Sequence, residues 1–206
     1  MSYVFVESAF MKARRLILGG PYIRRMNIAQ TKIRAACQGF RVKKGTTVSP
    51  RASLWRMGGA IELGNYTEIH CGVLLWAYGG TIVIGDHCSV NPYTIIYGHG
   101  DTIIGNHVRI AAHVVIIPAN HHIAADAIIA HQPLDMVGVR ICDDVWIGAG
   151  AKILDGTKVE TGCVIGAGSV VTKTTEQYGI YVGMPARKIG DRRSDDTTRL
   201  LTAAMS

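Results

Sequence analysis

A branched aliphatic residue recurs at every sixth position over one long stretch of the chain. The six members of the series are Ile141, Ile147, Ile153, Val159, Ile165 and Val171. A small or slender residue follows each of them four positions later: Val145, Ala151, Thr157, Cys163, Ser169 and Thr175. A period of six fits neither the 3.6-residue turn of a helix nor an uninterrupted strand alternation, so the repeating unit is a short strand plus a corner. Three such units predict one turn of a triangular parallel β-solenoid.

The same spacing extends toward the N-terminus in sets of three. These sets are Val42, Val48 and Leu54; Leu63, Ile69 and Leu75; Ile84, Val90 and Ile96; and Ile104, Ile110 and Ile116. Each set predicts one further coil, stacked on the next at the spacing of parallel strands. Glycine directly follows the aliphatic residue in several hexads, where we expect corners with positive φ: Gly64, Gly85, Gly105, Gly148 and Gly166.

The repeats divide the chain into three parts. Residues 1–41 lack the hexad, residues 42–177 form the predicted β-helix, and residues 178–206 form a C-terminal segment and tail. The longest interruption, residues 117–139, is expected to protrude as a loop, and long loops on a regular scaffold often carry function. A break at Gly19-Gly20-Pro21 predicts two short helices before the solenoid.

Positive charge is concentrated at the N-terminus. Residues 1–51 carry eleven Lys and Arg against Glu7 alone, and they account for the net charge of +7. Apolar residues alternate with these basic ones, which is typical of a helix that caps the first coil or of one that contacts an anionic membrane surface. Nucleic-acid binding is not favoured, because no aromatic-rich sheet or zinc motif accompanies the basic residues.

Cysteine usage indicates a reducing compartment. The chain has five cysteines, an odd number, and Cys88 and Cys163 fall at inward positions of the hexad. We therefore expect buried thiols rather than a disulfide framework. Because the sequence has no recognisable secretion signal and no run of 18 apolar residues, a cytoplasmic protein is expected, with peripheral attachment to the inner face of the membrane as the alternative.

Three motifs in the C-terminal half indicate a family. They are VWIGAG at 145–150, GAGSVVTK at 166–173 and GMPAR at 183–187. Together they resemble the hexapeptide-repeat O-acetyltransferases, including the maltose and galactoside acetyltransferases, over about residues 60–206. The resemblance implies a left-handed parallel β-helix that assembles as a homotrimer. It also implies acetyl-CoA bound between neighbouring chains, with no metal.

The resemblance assigns catalysis to one histidine of the long loop. His121, in Ala119-Asn120-His121, matches the general base of the family, with His122 as the second choice and His131 as a structural residue. An imidazole titrates near neutral pH, so it can take a proton from an attacking hydroxyl.

Further site residues are implied in the same way. Asn91 matches an asparagine that contacts the acceptor sugar, although a corner asparagine is an equally good interpretation. Trp146 is expected to point outward beside the acetyl group, and the backbone amide of Ala149 is expected to stabilise the oxyanion. The residues matched to the CoA site are Ala149, Ala167, Thr172, Lys173 and Arg187. A further family arginine is replaced by Gly190, which leaves three candidate substitutes: Lys188, Arg192 and Arg193.

The resulting hypothesis is an acetyl-CoA-dependent O-acetyltransferase acting on a sugar or glycan precursor. The alternative within the enzyme class is N-acetylation of an amino sugar, and the alternative outside it is a non-catalytic scaffolding solenoid. Metal catalysis of the γ-carbonic-anhydrase kind is disfavoured. His87 and His107 occupy equivalent positions about 5 Å apart in successive coils, but Asp144 follows them.

Overall fold

The structure is a computed structural model that describes residues 21–194, with side chains from Arg25 onward. Its described part contains one α-helix, α1 (Pro21–Gln38), one 3₁₀ turn (Ile129–His131) and short strands. The strands are β1 (Arg41–Val42), β2 (Thr47–Val48), β3 (Ser53–Trp55), β4 (Ala60–Leu63), β5 (Glu68–Ile69), β6 (Leu74–Trp76), β7 (Thr81–Ile84), β8 (Ser89–Val90), β9 (Ile95–Tyr97), β10 (Thr102–Ile104), β11 (Arg109–Ile110), β12 (Val115–Ile117), β13 (Asn120–His121), β14 (Leu134–Asp135), β15 (Val139–Ile141), β16 (Trp146–Ile147), β17 (Lys152–Leu154), β18 (Lys158–Val159), β19 (Val164–Ile165), β20 (Val170–Val171), β21 (Gly179–Val182) and β22 (Arg187–Asp191). Of the two predicted N-terminal helices, the second is α1, and the first lies outside the described residues.

The strands form three sheets that make the sides of a prism. Sheet A contains β1, β4, β7, β10, β15 and β18; sheet B contains β2, β5, β8, β11, β16, β19, β21 and β22; sheet C contains β3, β6, β9, β12, β17 and β20. Neighbouring strands within each sheet are parallel, except that β22 runs antiparallel to β21. Each coil of the chain contributes one strand to A, then B, then C. The predicted parallel β-helix of the hexapeptide-repeat type is confirmed.

The core consists of the side chains that the six-residue period places inward. All twelve inward residues predicted between Ile141 and Thr175 are buried. Ile153 illustrates the stacking: it has no exposed surface and pairs with Ile116 of the preceding coil and Val171 of the next. Cys88 and Cys163 are buried free thiols, as predicted, and burial raises the pKa of both.

Five glycines directly follow inward aliphatic residues, and the prediction that they adopt positive φ is wrong. None of them has positive φ; instead, a Cβ at Gly85 would lie 2.5 Å from the carbonyl oxygen of Gly105 in the next coil. Glycine is needed there because adjacent backbones approach closely. The left-handed corner residues lie farther along, and many are not glycine, for example Tyr66 (φ 53°), His87 (φ 58°) and His107 (φ 59°).

All irregularity in coil length falls at one edge of the prism. In all six coils, the sheet B strand begins five positions after the last residue of the sheet A strand. The same spacing separates the end of each sheet B strand from the start of its sheet C strand. The return from sheet C to sheet A varies, and the long loop leaves there, between Ile117 and Val139. We call this line of corners the A–C edge. It lies opposite sheet B in a three-sided prism.

Helix α1 packs on the first coil. The Thr31 hydroxyl is buried, donates to the carbonyl of Asn27 at 2.7 Å and accepts the backbone N–H of Val48 at 2.8 Å. The Arg34 guanidinium donates to the carbonyls of Ser49 (2.8 Å) and Ala52 (3.0 Å). The first coil has no preceding coil to form hydrogen bonds with its backbone, and these bonds from α1 satisfy some of its backbone groups instead. Within residues 21–194, no helix is long and apolar enough to span a bilayer.

Candidate active site

The long loop presents its histidines on a small hairpin. Strands β13 and β14 pair antiparallel, with His121 opposite Leu134. His121 is exposed, whereas Nε2 of His122 lies 2.8 Å from a carboxylate oxygen of Asp135. The side chain of Gln132 bonds to the backbone within the same loop and holds its turn. Of the two adjacent histidines 121 and 122, only His122 has an acidic partner among the residues described.

The base of the loop is fixed to the solenoid. The Asp155 carboxylate accepts the backbone N–H of Gly138 at 2.8 Å, and the carbonyl of Gly138 accepts the N–H of Gly156 at 2.9 Å. Gly138 has a φ of 99°, a conformation that glycine adopts without strain. These contacts hold the hairpin at a defined place on the A–C edge.

Aromatic rings line the A–C edge beside the loop, a feature that the sequence analysis missed. Trp55, Trp76 and Tyr97 form one row, because β3, β6 and β9 pair in register. Tyr78 and His99, from the corners that follow, stack on each other with ring centroids 4.3 Å apart and pack against that row. We call these five residues the aromatic cluster. Trp55 is 51% exposed, so the cluster has an accessible face.

His99 connects the aromatic cluster to the hairpin. Burial lowers the pKa of His99, and the nearby charge of His121 lowers it further. Its Nδ1 atom is buried and has no hydrogen-bond partner within the described part of the chain. The surroundings of His99 therefore disfavour its charged form.

The predicted acetyl and oxyanion residues lie on a different part of the prism. Trp146 is on sheet B, between Arg109 and Val164, and is 48% exposed, so its predicted outward orientation is confirmed. Ala149 follows β16 at the corner between sheets B and C, and its carbonyl accepts the N–H of Gly168 in the next coil at 2.8 Å. Ala167 lies beside it, in the same corner of that next coil.

One chain does not bring His121 and Trp146 together. The hairpin leaves the prism at the A–C edge, whereas Trp146 lies on the opposite side, on sheet B. Among residues 21–194, no hydrogen bond joins loop residues 118–138 to sheet B. His121 and Trp146 therefore lie on different sides of one chain.

The predicted CoA-facing cations lie near the C-terminal end of the solenoid. Thr172 and Lys173 follow β20 at the A–C edge, and both are exposed, as is Arg187 at the start of β22. The three candidate substitutes for the arginine missing at Gly190 are engaged in ion pairs: Lys188 with Glu176 at 2.6 Å, Arg192 with Asp144 at 2.9 Å and Arg193 with Asp191 at 2.7 Å.

Two other predicted polar positions have structural partners. The side-chain amide of Asn91 donates to the carbonyl of Ile110 at 2.7 Å, as expected of a corner asparagine. His87 and His107 stack with centroids 5.1 Å apart, close to the predicted spacing. No group of three or more metal-ligating side chains occurs in the described range.

Comparison with known proteins agrees with this architecture. Residues 138–173 match the family model described as bacterial transferase hexapeptide (six repeats), which is the part of the solenoid with uninterrupted 18-residue coils. Residues 138–173 therefore match a hexapeptide-repeat family in sequence as well as in fold.

The curated proteins to which the chain is similar include acetyltransferases. A chloramphenicol acetyltransferase from Klebsiella aerogenes is 48% identical over 61 residues, which is 30% of this chain and 29% of that protein. A 2,3,4,5-tetrahydropyridine-2,6-dicarboxylate N-acetyltransferase from Staphylococcus aureus is 36% identical over 89 residues, 42% of this chain and 37% of that protein. The chain thus spans well under half the length of these curated relatives.

Solved structures share the fold over most of the chain. A point variant of AntD, an N-acyltransferase from Bacillus cereus solved in complex with dTDP and coenzyme A, has a TM-score of 0.69 and 25% identity. That match covers 84% of this chain and 94% of AntD. The polySia-specific acetyltransferase NeuO has a TM-score of 0.63 and 21% identity over 76% of this chain and 69% of its own.

Proposed function

We propose that this protein is an acetyl-CoA-dependent O-acetyltransferase that acts on a hydroxyl of a sugar or glycan precursor. The observation that carries this assignment is the position of His121, exposed on the one long excursion from the solenoid and next to the aromatic cluster. The similarity to acetyltransferases, and to an N-acyltransferase solved with coenzyme A, supports an acyl-CoA donor.

In the proposed reaction, the imidazole of His121 accepts the proton of the acceptor hydroxyl as the hydroxyl oxygen attacks the thioester carbonyl. The backbone N–H of Ala149 donates to the oxyanion that forms. Collapse of this intermediate breaks the carbon–sulfur bond, and the thiolate of CoA receives the proton from the imidazolium. Burial lowers the pKa of neighbouring His99, which favours its neutral form beside the imidazolium.

The proposed active site is shared between chains of a homotrimer. His121 of one chain meets Trp146, Ala149 and Ala167 of the next, since these groups lie on opposite sides of a single prism. Acetyl-CoA occupies the groove between the two chains, with Thr172, Lys173 and Arg187 as its contacts. The half-exposed Trp146 then lies in an interface rather than in solvent.

The aromatic cluster is the proposed platform for the acceptor. Sugar rings present apolar C–H faces, and Trp side chains supply large apolar contact areas with a polar N–H at one end. Nε1 of Trp76 already donates to the Ser53 hydroxyl at 3.0 Å, which fixes the plane of its ring. We therefore assign acceptor selection to this cluster and to the loop, with Asn91 as a further candidate contact.

N-acetylation of an amino sugar is the second candidate. It is favoured by the similarity to AntD, an N-acyltransferase also solved with dTDP-4-amino-4,6-dideoxyglucose. A neutral amine is already nucleophilic and depends less on a general base than a hydroxyl does.

The test begins with a mass-spectrometric screen of free sugars, nucleotide sugars and lipid-linked glycans with acetyl-CoA. With the acceptor in hand, we expect His121→Ala to lower kcat by about 10²- to 10⁴-fold. His131→Ala, an exposed histidine of the same loop, is the matched control and should retain activity. An ester product whose formation persists in His121→Ala would refute the assigned base, and an amide product would establish the second candidate.

A further inference from the structure

A basic groove lies between α1 and the first coil, away from the candidate active site. Its volume is about 630 Å³, and four cationic side chains line it together with the ring of Tyr66. Arg25 and Lys32 come from α1, and Lys43 and Lys44 from the corner after β1. Arg25 and Lys32 are seven residues apart, which places them on one face of the helix.

No acidic side chain of residues 25–194 lines this groove. Lys43 acts electrostatically on the Asp86 carboxylate, whose pKa is lowered mainly by hydrogen bonds from Asn65. The side chains of Arg25, Lys32 and Lys44 make no ion pair or hydrogen bond with any residue of the described range. Two other cations near the first coil do have partners: Arg41 pairs with Glu62 at 2.8 Å, and Arg34 bonds backbone carbonyls.

The fold itself brings these like charges together. Gly45 has a φ of 72°, and a Cβ there would overlap the ring of Tyr66, so the corner packs closely on that ring. Tyr66 in turn stacks on His87, with centroids 5.3 Å apart. The backbone N–H of Lys44 is also fixed, because it donates to the side-chain oxygen of Asn65 at 3.2 Å. A concave surface of one charge sign concentrates the potential and attracts an anion.

We propose that this groove binds the phosphate groups of a phosphorylated ligand. Lys ammonium groups act as mobile point charges toward phosphate, and the Arg guanidinium adds a planar fork of donors. Both a diphosphate-linked acceptor and an anionic lipid headgroup carry this chemistry. Binding here does not depend on the proposed acetyl transfer, so each can fail without the other.

Inorganic pyrophosphate is the probe for the shared chemistry. The groove variant is Lys32→Glu with Lys44→Glu, and the control is Arg51→Glu with Lys152→Glu, exposed cations outside the groove with the same change in net charge. By calorimetric titration at low salt, we expect the groove variant to bind at least tenfold more weakly than wild type and the control to match wild type. No binding by wild type, or equal losses in both variants, would overturn the proposal.

Vesicles distinguish the two sources of phosphate. The full-length protein is sedimented with phosphatidylcholine vesicles that contain or lack phosphatidic acid, and circular dichroism verifies that both variants are folded. Loss of sedimentation in the groove variant alone, with competition by pyrophosphate, identifies a lipid headgroup. Equal sedimentation of all variants, together with a pyrophosphate defect in the groove variant, identifies a soluble diphosphate ligand.

Discussion

At the scale of single residues, the six-residue period predicts burial because residues six positions apart occupy equivalent places in the coil, and the aliphatic ones face inward. Ile153 has no exposed surface, and Lys152 beside it on the same strand is exposed. Inward positions depend only on spacing along the chain, so they could be predicted. The glycines after the inward aliphatics were misinterpreted, because their role depends on the distance to the next coil, which spacing does not contain.

Asparagine substitution separates the two explanations for these glycines. Asparagine tolerates positive φ better than most residues, so it suits a left-handed corner but not a crowded one. We expect Gly85→Asn to lower the free energy of unfolding by about 3 kcal/mol, because its Cβ meets the backbone of Gly105. Gly79→Asn, at a φ of 86° with open space, should cost less than about 1 kcal/mol. Urea denaturation measures both, and equal costs would contradict the steric explanation.

At the scale of elements, the strands were predictable and the contacts at the A–C edge were not. The aromatic cluster joins Trp55, Trp76 and Tyr97, which are 21 residues apart in sequence and meet only through the strand register. That register depends on how many extra residues each corner accommodates. The position of His121 was inferred from family resemblance, and its proximity to His99 emerges only in three dimensions.

Helix α1 is expected to protect the first coil through one buried hydroxyl. Thr31→Val keeps the shape of the side chain but leaves the backbone N–H of Val48 without its acceptor. An unsatisfied buried donor costs about 1–3 kcal/mol. Hydrogen exchange at Val48 should accelerate accordingly, whereas Thr47→Val, on a half-buried outward position, should leave that exchange rate unchanged. Unchanged protection in Thr31→Val would mean that the helix does not stabilise this coil.

At the scale of the whole molecule, a shared active site predicts complementation between inactive chains. His121→Ala and Trp146→Ala are each expected to abolish most activity in the proposed homotrimer. Random co-assembly at a 1:1 ratio pairs an intact His121 with an intact Trp146 at roughly a quarter of the sites. Activity should therefore recover to about a quarter of wild type after unfolding and refolding the two variants together. Recovery no greater than that of the separate variants would place the site within one chain.

The connections from sheet A to B and from sheet B to C have the same length in every coil. Only the connections at the A–C edge differ in length. Segments of different lengths, including the 21-residue stretch 118–138, already enter and leave there without disturbing the stack above or below. New recognition loops can therefore be grafted at this border from related solenoids. Under the proposed function, such grafts would change substrate choice and leave the scaffold intact.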